Sequence, residues 1–147
     1  LGDRRLISAL YEASQAGVEI DLIVRGICRL RPGLEGLSES IRVVSVVGRF
    51  LEHDRVFWFE NGGDPTVYVS SADWQRSRLD DRVGGAGRVG DPAHQGRLRR
   101  ALQYAIDDSR TAWTLRPDGR YGQRTPDADG GRGLQDALMN DAGGRVD

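Results

Sequence analysis

The residues best equipped for chemistry lie in one block, Arg49, Phe50, Leu51, Glu52, His53, Asp54 and Arg55, continued by Glu60 and, further on, by Ser70 and Ser71. An imidazole titrates near neutral pH and can attack phosphorus or move a proton. A cation two residues along an extended chain projects from the same face, so Arg55 would stand beside His53 and reach the same phosphate oxygens. Arg25 offers a second guanidinium at the end of an apolar run, and Gly26 beside it lets a bulky anion approach the backbone. Phosphoryl transfer asks a protein mainly for alignment and positive charge around the equatorial oxygens, which Arg25, His53 and Arg55 can supply. Plainer readings compete with each of these. His53 can be a surface histidine beside an acidic residue, Arg25 an exposed strand-end cation, and Arg49 a structural partner of Glu52 or Asp54.

The rest of the composition narrows the classes. A chain of 147 residues, 38% hydrophobic, can bury one ordinary core and has the size of one domain. No apolar run approaches the roughly 20 residues needed to cross a bilayer, and no charged-then-apolar leader opens the chain, which begins at Leu1 already close to a helix and reads as cut from something longer. The single cysteine, Cys28, cannot form an internal disulfide, and no Cys and His cluster has zinc spacing, which fits a reducing cytoplasm and no structural metal. In its apolar context Cys28 is a small core residue rather than a nucleophile. The formal charge of -1 gives no global attraction to a polyanion, so an anion site must be local. All 21 basic residues are arginine, which suits bidentate phosphate contacts, although a GC-rich coding bias that swaps Lys for Arg is the better explanation of the missing lysine.

The elements that must position these residues follow from periodicity. Residues 3–15 place Leu6, Leu10 and Ala13 on one helical face and stop at Gly17. Residues 18–24 alternate and then become continuously apolar, as a strand that enters a core and surfaces at Arg25 and Gly26 would. After a loop over 30–40, residues 41–47 form a β-branched run fit for a buried strand. Residues 55–59 and 66–70 flank Asn61, Gly62, Gly63, Asp64 and Pro65, a hairpin composition. Residues 84–90 are glycine-rich and read as a flexible join, and 91–108 read as a helix with Asp91 as N-cap and Pro92 in the first turn. A small hairpin turns at Pro117, Asp118 and Gly119, and the polar tail holds one short helix at 134–139.

The block around His53 has the spacing of the phospholipase D-like motif, a His, a Lys two residues later and an Asp five beyond, with small hydroxyl residues following. His53, Arg55, Glu60, Ser70 and Ser71 resemble a degenerate copy of it. A longer colinear set, Val24 to Cys28, Arg49 to His53, Asn61 to Gly63, Ser70 to Trp74 and Leu79 to Val83, is similar to polyphosphate kinases, with a looser continuation through 98–121, where Arg116 to Tyr121 looks like the family's ending, and at 134–139. The resemblance implies an α/β fold, a phospholipase D-like mixed sheet flanked by helices, forming one lobe of a two-lobed catalytic region over residues 1–122, with a partly flexible tail over 123–147. It implies reversible transfer of the terminal phosphoryl group of ATP to inorganic polyphosphate through a phosphohistidine in a preceding domain, where magnesium would also bind. It carries over two nucleotide-binding positions, Arg25 to hold phosphate oxygens and His53 to meet the transferring phosphoryl group as donor or general acid, with Arg55 as a lesser contributor. It further implies contact with upstream domains of the same enzyme, a homo-oligomeric full protein without a nucleic-acid partner, and a cytoplasmic location with membrane association open to the full enzyme.

Departures matter as well. Arg for Lys and Glu for Asp keep charge but change reach, which argues against ordinary phosphodiester hydrolysis. Residues 85–90 formally fit a Gly-x-Gly-x-x-Gly fingerprint but lack the buried strand before it and the helix opening within it. In the family an extended apolar strand is expected there, so the insertion bears on activity and leaves a non-catalytic ATP- or polyphosphate-binding remnant as the competing function. His94 reads as solvated, and Arg97, Arg99 and Arg100 as a solvated helix face.

Overall fold

The computed structural model describes residues 1–72, 84–126, 128 and 130–143. Asp73, Trp74 and residues 79–83, which contribute to the resemblance, lie outside the described residues. Among the described residues, two sheets and three α-helices make up the fold. The helices are α1 (Arg4–Gln15), α2 (Pro92–Asp107) and α3 (Leu134–Gly143). The first sheet has the order β1 (Ile20–Ile23), β2 (Ile41–Val46), β6 (Ala112–Leu115), β7 (Tyr121–Gln123). The pair β1 and β2 is parallel, and the other two pairings are antiparallel. The second sheet is an antiparallel meander, β3 (Val56–Phe59), β4 (Thr66–Ser70) and β5 (Ala86–Arg88).

Strand β2 explains the layering. Its β-branched run is buried on both faces because helices cover both, the usual fate of a parallel-sheet strand. On one face Ile41 and Val43 join Leu30 and Leu115 in a cluster completed by Ile7, Leu10 and Tyr11 of α1 and by Ile20, Leu22 and Val24. On the other, Val46 joins Ala105 of α2, Ala112, Leu134 of α3, Ile23 and Leu138. The alternation Leu22, Ile23, Val24 is thus divided between two cores, as the strand period of two requires. The helix starts are capped by Asp3, which accepts from the amides of Arg5 and Leu6, and by Asp91, which accepts from those of Ala93 and His94. Among the described residues no helix is long and apolar enough to cross a membrane.

One expectation requires correction. Residues 84–90 are not merely a flexible join, because β5 pairs Arg88, Gly87 and Ala86 with Tyr68, Val69 and Ser70. An exposed edge of β4 offers unpaired backbone groups, and glycines follow it without steric cost. The strand is three residues long and exposed throughout, so it extends the sheet without adding to a core. The boundary expected after residue 122 falls inside β7, and α3 buries Leu134 and Ala137, so the chain beyond Tyr121 contributes to packing.

The densest polar junction is Asp108, fully buried just after α2. Its carboxylate accepts from the amides of Arg110 at 2.9 Å, Thr111 at 2.6 Å and Ala112 at 3.2 Å, from the Thr111 hydroxyl, and from the amide of Leu134 at 2.8 Å. It therefore satisfies the turn into β6 and the first residue of α3 together. Arg124 closes the other side, its guanidinium donating to the carbonyls of Ile106 and Asp108 and to the Thr114 hydroxyl. Burial pushes the Asp108 carboxyl up, but the hydrogen bonds from Thr111, Leu134 and Arg110 outweigh it and leave the group below its ordinary value.

A carboxyl held low in the folded state stabilises the fold above its unfolded value near 4, and that stability is lost as pH falls through the lower folded value. Asp108→Ala leaves several buried donors without an acceptor and is expected to cost about 3 kcal/mol in urea melts at pH 7. The deficit should shrink progressively below about pH 4. A variant as stable as the parent at pH 7 would show that the junction is not structural.

Candidate functional site

The strands β1 and β2 run parallel, so both leave the sheet at the same edge, the usual position of a binding crevice in an open α/β sheet. The ladder extends one residue past β1, with the amide of Val24 donating to Val44 O at 2.8 Å. Arg25 follows directly. Its carbonyl lies 3.5 Å from the Ser45 hydroxyl and its side chain is exposed. The chain leaving β2 becomes the 47–55 segment that carries His53 and Arg55 into β3. Arg25 thus emerges where β1 ends, and His53 lies on the segment that joins β2 to β3.

His53 and Arg55 do meet. Arg55 Nη2 stands 3.0 Å from His53 Nε2, and Arg55 Nη1 donates to His53 O at 3.2 Å. A guanidinium has only donors, so His53 Nε2 accepts here and the ring proton belongs on Nδ1. The amide of Ser70 donates to Arg55 O at 2.9 Å, which makes Arg55 the first rung of the β3 and β4 hairpin and ties the pair to a regular strand. His53 is exposed and Arg55 half-buried, so an anion can reach both.

The remaining motif positions serve the framework. Glu60 accepts from the Trp58 indole N–H at 2.7 Å and lies 3.9 Å from the Arg99 guanidinium, which in turn covers the Trp58 ring at 5.4 Å from its centroid. Five residues separate Arg55 from Glu60, so a regular strand points them to opposite faces, and Glu60 turns toward α2. Ser70 Oγ accepts from the amide of Ala72, and Ser71 Oγ from the amide of Gly85. Both hydroxyls hold backbone amides where β4 ends and β5 begins. Arg49 places its guanidinium 5.5 Å from the Phe50 ring centroid, while Glu52, one of its expected partners, receives Gln135 Nε2 at 2.7 Å.

Of the arginines on α2, Arg99 is engaged with Trp58 and Glu60, and Arg100 lies 3.8 Å from Asp141 of α3. They brace helices and sheet as well as facing solvent. Burial pushes the Cys28 thiol up, against a weak contact with Leu30 O, so it is a poor nucleophile. Within residues 85–90, Ala86–Arg88 form an edge strand and the helix begins only at Pro92, which removes the dinucleotide fingerprint. Two residues that matter to the site escaped sequence reasoning. Asp108 was visible only as an acid after a helix, although Asp followed by Ser109 and Thr111 is a local turn signal. Gln135 carries no local signal, since it meets a segment 85 residues away.

A family profile described as "Polyphosphate kinase C-terminal domain 2" matches residues 1–133. The polyphosphate kinase of Thermosynechococcus vestitus is 53% identical over 138 residues, covering 93% of this chain and 19% of that protein. The polyphosphate kinase of Streptomyces coelicolor is 51% identical over 140 residues, covering 94% of this chain and 19% of that protein. The crystal structure of the Porphyromonas gingivalis polyphosphate kinase superposes with a TM-score of 0.92 at 37% identity, over 99% of this chain and 22% of that one. The chain thus spans about a fifth of the length of the relatives it matches. With the mixed, phospholipase D-like α/β fold and the degenerate motif both in place, the chain belongs to the polyphosphate kinase C-terminal domain 2 family.

Proposed function

We propose that this chain is the C-terminal catalytic segment of a polyphosphate kinase, reversibly transferring the terminal phosphoryl group of ATP to inorganic polyphosphate through a histidine that lies in another part of the enzyme. The observation that supports this reading is the joined His53 and Arg55 pair, with Arg25 emerging at the edge where β1 ends. Arg25 and Arg55 neutralise charge on the phosphate oxygens, and His53 donates to the transferring group. The loops leaving β1 and β2 also present Ile27 at 68% and Leu51 at 67% exposure, apolar surface suited to a second lobe closing over the site. In this reading the upstream domains, ATP and polyphosphate meet at that edge, in a cytoplasmic, homo-oligomeric enzyme. Magnesium belongs with the distant histidine. Among the described residues no group of three or more His, Cys, Asp and Glu side chains could hold a metal ion.

A second reading, a segment that binds nucleotide or polyphosphate without turnover, is favoured by β5. Where the resemblance leads one to expect an extended apolar strand, three exposed residues stand instead. A phosphodiesterase is disfavoured, because Glu60 is bound by Trp58 and Arg99 and no lysine is present.

Purified residues 1–147 alone should show no ATP-dependent polyphosphate growth in a chain-length assay, and robust growth would overturn the divided active site. In a complete enzyme carrying this segment, Arg25→Ala and His53→Ala should each lower kcat/KM on the order of a hundredfold while changing stability by no more than about 0.5 kcal/mol. Near-normal kinetics in His53→Ala would return that residue to a surface histidine. Wild-type binding of ATP with no turnover in the complete enzyme would select the second reading.

A further inference from the structure

Residues 47–54 lie outside the strands, yet they lead to and include part of the reactive pair, and their backbone must be satisfied by other groups. Gln135, the second residue of α3, does this. Its Oε1 accepts the amide of Phe50 at 3.1 Å, and its Nε2 donates to Phe50 O at 2.9 Å and to Glu52 Oε1 at 2.7 Å. One side-chain amide thus pairs with both backbone groups of a single residue, as a neighbouring strand would. Only one orientation of the amide satisfies all three contacts, since the carbonyl must face the N–H and the amine the carbonyl and carboxylate.

The approach depends on Gly48. A Cβ there would fall 2.7 Å from Gln135 Cδ, so any larger residue would push the amide aside. Gln135 is itself held from behind. The amide of Leu134 is fixed by Asp108, Leu134 and Ala137 are buried, Arg110 binds Asp136 at 3.1 Å, and Tyr104 binds Asp141 at 3.2 Å. The clamp comes from a helix beyond the residues matched by the family profile.

We propose that Gln135 is a positioning residue of the phosphate site: by fixing the backbone from Phe50 to Glu52 it sets where His53 and Arg55 stand. The inference rests on the function proposed above only for its kinetic consequence. Glu52 acts in the clamp as the acceptor of its third hydrogen bond, and Gly48 as the space through which it reaches.

Amide hydrogen exchange on the chain and steady-state kinetics on the complete enzyme test this together. Gln135→Ala should speed exchange at Phe50 at least about tenfold, while Val43 to Val46 exchange as before. It should lower kcat about tenfold with KM for ATP within about twofold, as loss of alignment rather than of binding predicts. Gly48→Ala should reproduce both effects. Gln135→Glu removes the donor to Phe50 O and sets two carboxylates against each other, so it should lower kcat at least as far as Gln135→Ala. Unchanged exchange at Phe50, or faster exchange with unaltered kcat, would overturn the proposal. A complete enzyme inactive with every residue intact would instead defeat the proposed function, and exchange at Phe50 alone would then decide whether the clamp exists.

Discussion

A single buried carboxylate organises the far side of this fold. Asp108 has given up water and gained donors from the turn into β6 and from the first amide of α3. A buried anion is tolerated only when its lone pairs are filled, so its position dictates that of every group around it. The start of α3 is therefore determined by Asp108, and Gln135, one residue on, by α3. Through Gln135 the constraint passes to the backbone of Phe50 and Glu52, and through that segment to His53 and Arg55. A junction without chemistry of its own reaches the reactive edge in a few hydrogen bonds.

The site shows how a motif can keep its spacing and redistribute its roles. His53 and Arg55 remain a pair because two residues of extended chain put them side by side, and the hairpin register secures Arg55 through the amide of Ser70. Glu60, at the spacing of the motif's acid, lies on the other face and stabilises the contact between Trp58 and α2. Ser70 and Ser71 have become turn residues. What persists is a donor cluster suited to stabilising charge on phosphate, while the groups that would complete a hydrolytic site are committed to holding the sheet.

The glycine run marks where local preference yielded to a neighbour. Residues 84–90 favour no structure on conformational entropy, and the glycines among them offer no side chains to pack. The free edge of β4 supplied the missing hydrogen bonds, and a three-residue strand formed. A composition that predicts a loop in isolation gave an edge strand in context, because pairing depends on what lies alongside.

Much of the architecture is legible in the chain itself. The apolar period of α1, the β-branched run of β2, the turn residues between β3 and β4, and the caps Asp3 and Asp91 all act within a few residues, so local physical chemistry determines them. The pairing of His53 with Arg55 is legible for the same reason, being a matter of strand period. That Arg25 emerges beside the end of β2 required knowing that β1 and β2 lie parallel. The fate of Glu60 required knowing that Arg99 packs on Trp58. Asp108 and Gln135 were beyond sequence, since a carboxylate reaching Leu134 across 26 residues and an amide reaching Phe50 across 85 leave no periodic trace. Those contacts exist only after the helices have docked, when each buried polar group must take whichever partner the packed layers bring within reach.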